Sequence, residues 1–254
     1  MSRFDLKPDS KFDSKPAFKR TIPDEIRDYR LTNSGSDAID YLLCGGFENK
    51  TLTTIYGPAG SGKTNIVLLA SKEVLKSGKK VIFIDTENSF SVERFRQIGG
   101  LCEEFYDMMI ILRPLDFSEQ KEIISHLKDI VDKDVGLVVM DSIAMLYRLE
   151  MGKQQDVYLL NREFSIQVSY LIDIAVKNNI PLIVTNQVYA DFEQKDKVNM
   201  VGGDLLRYSS KCLIELKSGH RGLRQATIKK HRSIDEGKTV FFSIVNEGIL
   251  RQDE

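Results

Sequence analysis

A chain of 254 residues accommodates one large domain with a full core plus a short appendage. With 42% apolar residues, 29% charged residues and a formal net charge of −1, the composition is that of an ordinary soluble protein, and it excludes nucleic-acid binding through an overall positive field. Cys44, Cys102 and Cys212 are isolated and His126, His220 and His231 lack metal-ligand spacing, which argues against a disulfide framework or a zinc site and for a reducing compartment.

Residues 1–30 mix basic and acidic side chains with Pro8, Pro16 and Pro23 and show neither a helical nor a strand period, so a flexible arm is expected there. Phe4, Phe12 and Phe18 are either anchors for a neighbouring subunit or partner, or contacts of an arm folded over its own core. The charged start has no signal-peptide pattern, and no apolar run approaches the ~18 residues that span a bilayer; a cytoplasmic protein without membrane contact is expected. Residues 31–254 form the second unit. Leu52–Tyr56 is an apolar strand, followed by a glycine-rich loop and a helical pattern over Lys63–Lys76 that stops at Gly78. Lys80–Asp85, Met108–Leu112, Leu137–Asp141 and Ile180–Asn186 read as buried strands. Ser118–Val131 and Val157–Lys177 carry helical spacing. Lys211–Lys217, Leu223–Lys230 and Val240–Val245 follow as strands separated by turns. Continuous Val/Ile/Leu strands alternating with helices imply an α/β fold with a mostly parallel, doubly wound sheet, and the closing hairpins imply antiparallel strands at one edge.

Gly57-Pro58-Ala59-Gly60-Ser61-Gly62-Lys63-Thr64 matches the phosphate-binding loop at every fixed position, in the strand-to-helix context the motif requires. Glycines let successive backbone N–H groups point inward at a phosphate, and the helix starting there adds its positive N-terminal end. Lys63 is placed for the β- and γ-phosphates of ATP, Thr64 for Mg²⁺, and Asn65 for the nucleotide beside them. A carboxylate for the metal is expected at the end of another buried strand, and Asp141 closes Leu137-Val-Val-Met-Asp141. Hydrolysis also needs a group that orients or deprotonates water. Glu87 follows a core strand and should face the same crevice at the carboxyl ends of the strands, with a solvated loop acid as the competing reading.

The glycine-rich loop, Phe83-Ile-Asp-Thr-Glu87, Leu137-Val-Val-Met-Asp141-Ser142 and Val184-Thr-Asn-Gln187-Val188 together resemble the archaeal and eukaryotic branch of the RecA-type recombinases. The resemblance covers about residues 31–250 and takes in the lead-in Thr32–Phe47 and Lys230-His231-Arg232. It is strongest to the short archaeal paralogues that lack a folded N-terminal DNA-binding domain. It implies a RecA-like P-loop ATPase core, with Glu87 as the catalytic glutamate. Gln187 would sense the γ-phosphate and link it to a DNA-binding loop. The implied role is in DNA recombination and repair, with slow ATP hydrolysis. Implied partners are DNA, single-stranded in preference, a RadA-type recombinase or another repair protein, and further copies of the chain.

In that family two loops line a DNA channel. Here they correspond to about Tyr147–Asp156, with Arg148 and Lys153, and to about Tyr189–Val201, with Lys195, Lys197 and the possible stacking platforms Tyr189 and Phe192. Asp191, Glu193 and Asp196 offset the lysines of the second loop, so a solvated loop without a DNA role stays open. By the same resemblance Lys230 and Arg232 reach the nucleotide across a subunit interface; the alternative is a solvated edge whose charges block strand aggregation. The arginine that stacks on adenine in the family is missing after Phe90, where Ser91 and Val92 follow, and Arg94 is the nearest substitute. Two rival readings remain: a nucleotide-gated protein adaptor without direct DNA binding, and a KaiC-like signalling ATPase, a group that places paired glutamates where this chain has Thr86-Glu87.

Overall fold

The computed structural model describes residues 30–99, 103–105, 107–153, 156–190 and 198–252, with the backbone alone described at 189, 190 and 198–200. The expected arm with its phenylalanines, Cys102, and Phe192, Lys195 and Lys197 lie outside the described residues.

A short strand β1 (Leu31–Thr32), helix α1 (Asp37–Leu42) and strand β2 (Phe47–Glu48) come first, with β1 and β2 paired antiparallel. The main sheet and its helices follow as β3 (Leu52–Gly57), α2 (Lys63–Lys76), β4 (Lys80–Asp85), α3 (Val92–Gln97), β5 (Met109–Leu112), α4 (Phe117–Ile130) and β6 (Val135–Asp141). Next are α5 (Met145–Met151), α6 (Val157–Asn178), β7 (Leu182–Ala190), β8 (Val198–Met200), α7 (Gly203–Ser209), β9 (Cys212–Ser218), β10 (Leu223–Lys230), β11 (Thr239–Val245) and β12 (Gly248–Gln252). In space the strands run β12-β11-β10-β9-β3-β7-β6-β4-β5, with β8 attached to β7. The six strands from β9 to β5 are parallel, and β10, β11 and β12 extend the sheet as an antiparallel meander. This is the mostly parallel sheet with an antiparallel edge that the strand pattern predicts.

Successive residues of a strand point to opposite faces, so a strand apolar at every position is one covered on both. Ile55, Val81, Phe83, Val139, Ile183 and Ile214 belong to the cluster under α2. Their neighbours Ile82, Ile84, Val138, Met140, Leu182 and Val184 belong to the cluster under α4 and α6. The bounds of α2, β4 and β10 coincide with the expected ones. Helix α4 starts one residue early because Asp116 caps it: its carboxylate accepts from Glu119 N at 2.8 Å, while Glu119 Oε2 accepts from Leu115 N at 2.7 Å.

Two expected loops are partly regular. The span Tyr147–Asp156 is not a loop throughout, because α5 runs to Met151. Leu146 and Tyr147 are buried, and the Tyr147 ring stacks on Phe164 with centroids 4.4 Å apart. Such a segment needs its backbone bonded internally, which a helical turn provides. The span Tyr189–Val201 opens as an antiparallel ribbon, with Val188 opposite Met200 and Ala190 opposite Val198.

Candidate nucleotide site

The site forms where β3, β4, β6 and β7 end together. Strand β3 runs into the glycine-rich loop, whose turn into α2 places Gly60 at φ +72° and Gly62 at φ +104°. These are left-handed values that an L side chain adopts only at a cost. Packing is close as well: a Cβ at Gly57 would lie 2.5 Å from the carbonyl oxygen of Leu216 on β9. The Lys63 ammonium folds back over the loop and donates to the carbonyls of Gly57 and Pro58, both at 2.9 Å. Burial pushes its pKa below the ordinary lysine value, and the carboxylates of Asp141 and Glu87 oppose that shift.

Asp141 ends β6, in register with Asp85 at the end of β4. Its buried carboxylate accepts from the Thr64 and Ser89 hydroxyls, each at 2.7 Å, and from the Thr185 hydroxyl on β7. The Asp141–Ser142 peptide is cis. Glu87 lies just beyond β4. One of its oxygens accepts from the Ser142 hydroxyl, and the other accepts from Gln187 Nε2 at 2.7 Å. Asp85 has a different task. It accepts from the backbone N–H groups of Ser89 and Phe90, at 2.8 and 3.2 Å, and pairs with Arg113, which fixes the turn that carries Glu87 and Ser89.

The structure therefore brings Lys63, Thr64, Glu87, Asp141 and Gln187 into one connected cluster. An adjoining cavity of about 450 Å³ is lined by Gly60, Gly62, Lys63, Thr64, Asn65, Arg94, Arg224 and Ile244. Arg94 reaches this cavity with every N–H engaged. Nε donates to Asn65 Oδ1, Nη1 to Gln97 Oε1 and Asn246 O, and Nη2 to Val245 O and Gly248 O. A guanidinium has five N–H donors, so only the face of this one is available to a base.

Of the remaining predicted positions, Arg148, Lys153, Lys230 and Arg232 are described and stand apart from the cluster. Arg148 and Lys153 are exposed at α5 and just after it, and Lys153 lies 3.8 Å from Glu150. Lys230 donates to Arg207 O at 2.7 Å, and Arg232 pairs with the buried Glu48 at 2.7 Å. Sequence reasoning missed Ser89 and Arg224. Nothing in the spacing marks Ser89. Arg224 did carry a signal: on β10 it shares its face with the buried Ala226 and Ile228, where an arginine is out of place unless it has a partner.

The donor set suits a magnesium nucleotide. The Thr64 hydroxyl and an Asp141 carboxylate oxygen meet at 2.7 Å beside the loop, and the Lys63 ammonium folds over the same loop on backbone carbonyls alone. Among the described residues there is no cluster of three or more His, Cys, Asp or Glu that would hold a metal alone. One carboxylate with a threonine hydroxyl is what Mg²⁺ uses when substrate phosphates and water complete its shell.

The Rad51 family profile matches residues 28–252. The chain is 42% identical over 228 residues to a DNA repair and recombination protein RadB of Methanobrevibacter smithii, covering 86% of this chain and 94% of that one. It is 41% identical over 221 residues to the protein of the same name from Methanothermobacter thermautotrophicus, covering 84% and 93%. The crystal structure of the RadB recombinase superposes with a TM-score of 0.73 at 38% identity, covering 86% of this chain and 98% of that one. A nucleotide cradle on this sheet order, matched along nearly all of its length, establishes that the chain belongs to the Rad51 family.

Proposed function

We propose that this chain is a magnesium-dependent ATPase that acts in DNA recombination and repair, as a recombinase paralogue or accessory factor in the cytoplasm. Residues 31–254 are the ATPase domain and residues 1–30 an arm. The hydrogen bond from Gln187 to Glu87 carries the reading. It ties the carboxylate beside the phosphate loop to β7, the strand whose last residues pair with β8. In this reading Gln187 feels the γ-phosphate and shares its strand with the start of the loop assigned to DNA.

In this reading Lys63 gives up the loop carbonyls for the β- and γ-phosphate oxygens, and Thr64 and Asp141 hold magnesium. Bound magnesium supplies charge neutralisation on the phosphates. Glu87 orients water and accepts its proton, while Gln187 exchanges Glu87 for a γ-phosphate oxygen. The face of Arg94 receives the adenine. Arg148, Lys153, Tyr189, Phe192, Lys195 and Lys197 contact the DNA backbone and bases. Lys230 and Arg232 reach the nucleotide of an adjacent subunit, Arg232 leaving Glu48 to do so. A RadA-type recombinase is the protein partner this role calls for.

Binding of labelled single-stranded DNA with ATP, with ADP and without nucleotide, across a salt series, tests this. Binding that depends on ATP, weakens steeply with salt and disappears in Lys63→Ala is expected. In Glu87→Gln, turnover should fall by about 10²- to 10⁴-fold with nucleotide affinity retained. A second reading, a nucleotide-gated adaptor docking on protein alone, draws on the net charge of −1 and the Lys153–Glu150 pairing. Intact ATP binding with no DNA binding at low salt would remove the direct DNA role in its favour.

A further inference from the structure

Strand β9 and the antiparallel edge beyond it do more than extend the sheet: they close over the phosphate loop. Leu216 on β9 touches Gly57. A Cβ at Gly62 would lie 3.2 Å from Ile244 and 3.5 Å from Phe242 on β11, and 3.7 Å from the Arg224 side chain on β10. The stem of Arg224 is thus packed against the turn into α2, on the face of β10 that carries Ala226 and Ile228. Its head stands at the rim of the nucleotide cavity, with Nε 3.3 Å from the carbonyl oxygen of Gly60 and Nη1 2.6 Å from that of Gly222.

The two arginines at this cavity differ in what they have left to give. Arg94 has spent all five N–H groups on Asn65, Gln97 and the β11–β12 turn. Arg224 donates from Nε and once from Nη1, and among the described residues no acceptor takes its remaining N–H groups. A guanidinium half immobilised on backbone carbonyls, with three donors free and an anion-binding loop beside it, is arranged to accept an anionic oxygen with little loss of freedom.

We infer that Arg224 is a nucleotide-binding residue of this subunit, donating to phosphate oxygens on the side of the chain that faces the antiparallel edge. The inference rests on the reading of the glycine-rich loop as an ATP site. It adds a contact that none of the expected site residues supplies. It also gives the bound nucleotide a direct hold on β10, the strand whose far end carries Lys230.

The test is nucleotide affinity and nucleotide-induced thermal shift for the full chain, with ADP and ATP as probes, in Arg224→Gln and Arg224→Lys beside Lys63→Ala. Charge-assisted hydrogen bonds of this kind predict about a ten- to hundredfold weaker affinity in Arg224→Gln. Arg224→Lys should fall in between, because it keeps the charge and loses the fork. The melting temperature without nucleotide should be unchanged in both variants, while the rise on adding nucleotide shrinks. Equal affinity in wild type and both variants overturns the role of Arg224 and leaves the loop reading intact. A wild type that binds neither nucleotide overturns both. Reduced affinity with a matching loss of melting temperature in Arg224→Lys assigns the residue to folding and overturns the inference.

Discussion

Three hydroxyls, those of Thr64, Ser89 and Thr185, donate to Asp141. Hydroxyls can turn away when a cation arrives, which an arginine partner could not. His231 shows a different design. Burial holds its pKa below the ordinary imidazole value, and the neighbouring Glu48 only partly offsets this. The folded state therefore binds fewer protons than the unfolded chain, so the contribution of His231 is complete above about 6.5 and is lost as the pH falls. The melting temperature should drop on acidification, and less so in His231→Gln; equal drops would remove His231 as the cause. Thiols offer a second check. Burial pushes Cys212 up to about 12, whereas Cys44 is exposed. Maleimide on the folded protein should label Cys44 and spare Cys212 by peptide mapping; labelling of both at one rate would show β9 opening readily. Lys63, Thr64 and Asp141 could be read in advance because a fixed spacing and a strand end specify them. Ser89 could not, because its partners are supplied by turn geometry, which no local spacing encodes. Arg224 was marked only by its place on the face of Ala226 and Ile228, while its partners come from strand register.

At the scale of elements, the long ones were legible and the short ones were not. Helix α2 and strands β4 and β10 matched their periodic patterns from end to end. Helices α1, α3, α5 and α7 have six or seven residues each, too few for a period to show, and they exist because neighbours pin them. In α3 the pinning is explicit: Ser91 caps it through Arg94 N, and Arg94 ties it to the β11–β12 turn. Helix α7 depends on one glycine. Gly202 caps it at φ +64°, and a Cβ there would meet Phe164 Cε1 at 2.6 Å. Gly202→Ala should destabilise by at least about 1–2 kcal/mol from the backbone conformation alone. An unchanged denaturant midpoint would show that α7 re-forms without it. Since Asn186 Nδ2 bonds Val201 O at 2.8 Å, that variant should also loosen the ribbon next to Gln187.

Taken whole, the molecule places its chemistry at one end of a sheet whose two flanks have different jobs. The parallel flank, β7 to β4, supplies Gln187, Asp141 and the turn bearing Glu87. On the other side of β3, β9 and the antiparallel strands β10 to β12 brace the loop through Leu216, Arg224 and Ile244. Fold class and strand order at the edge followed from the alternation of patterns along the chain. The enclosure of the loop by β10 and β11 did not, because it depends on how far the meander curls back over α2. No helix among the described residues is long and apolar enough to cross a membrane.

The position of β3 has a consequence for how the protein is made. Its two partners are β7 and β9, so residue 52 pairs with residue 182 and residue 53 with residue 212. Pairings this distant close late, because the intervening chain must be ordered first. The glycine-rich loop is written early, and the second strand that flanks β3 is written more than 150 residues later. A chain cut before Cys212 should bind no nucleotide even though it contains every residue of the phosphate loop; nucleotide binding by that fragment would show that the loop can form without its second neighbour.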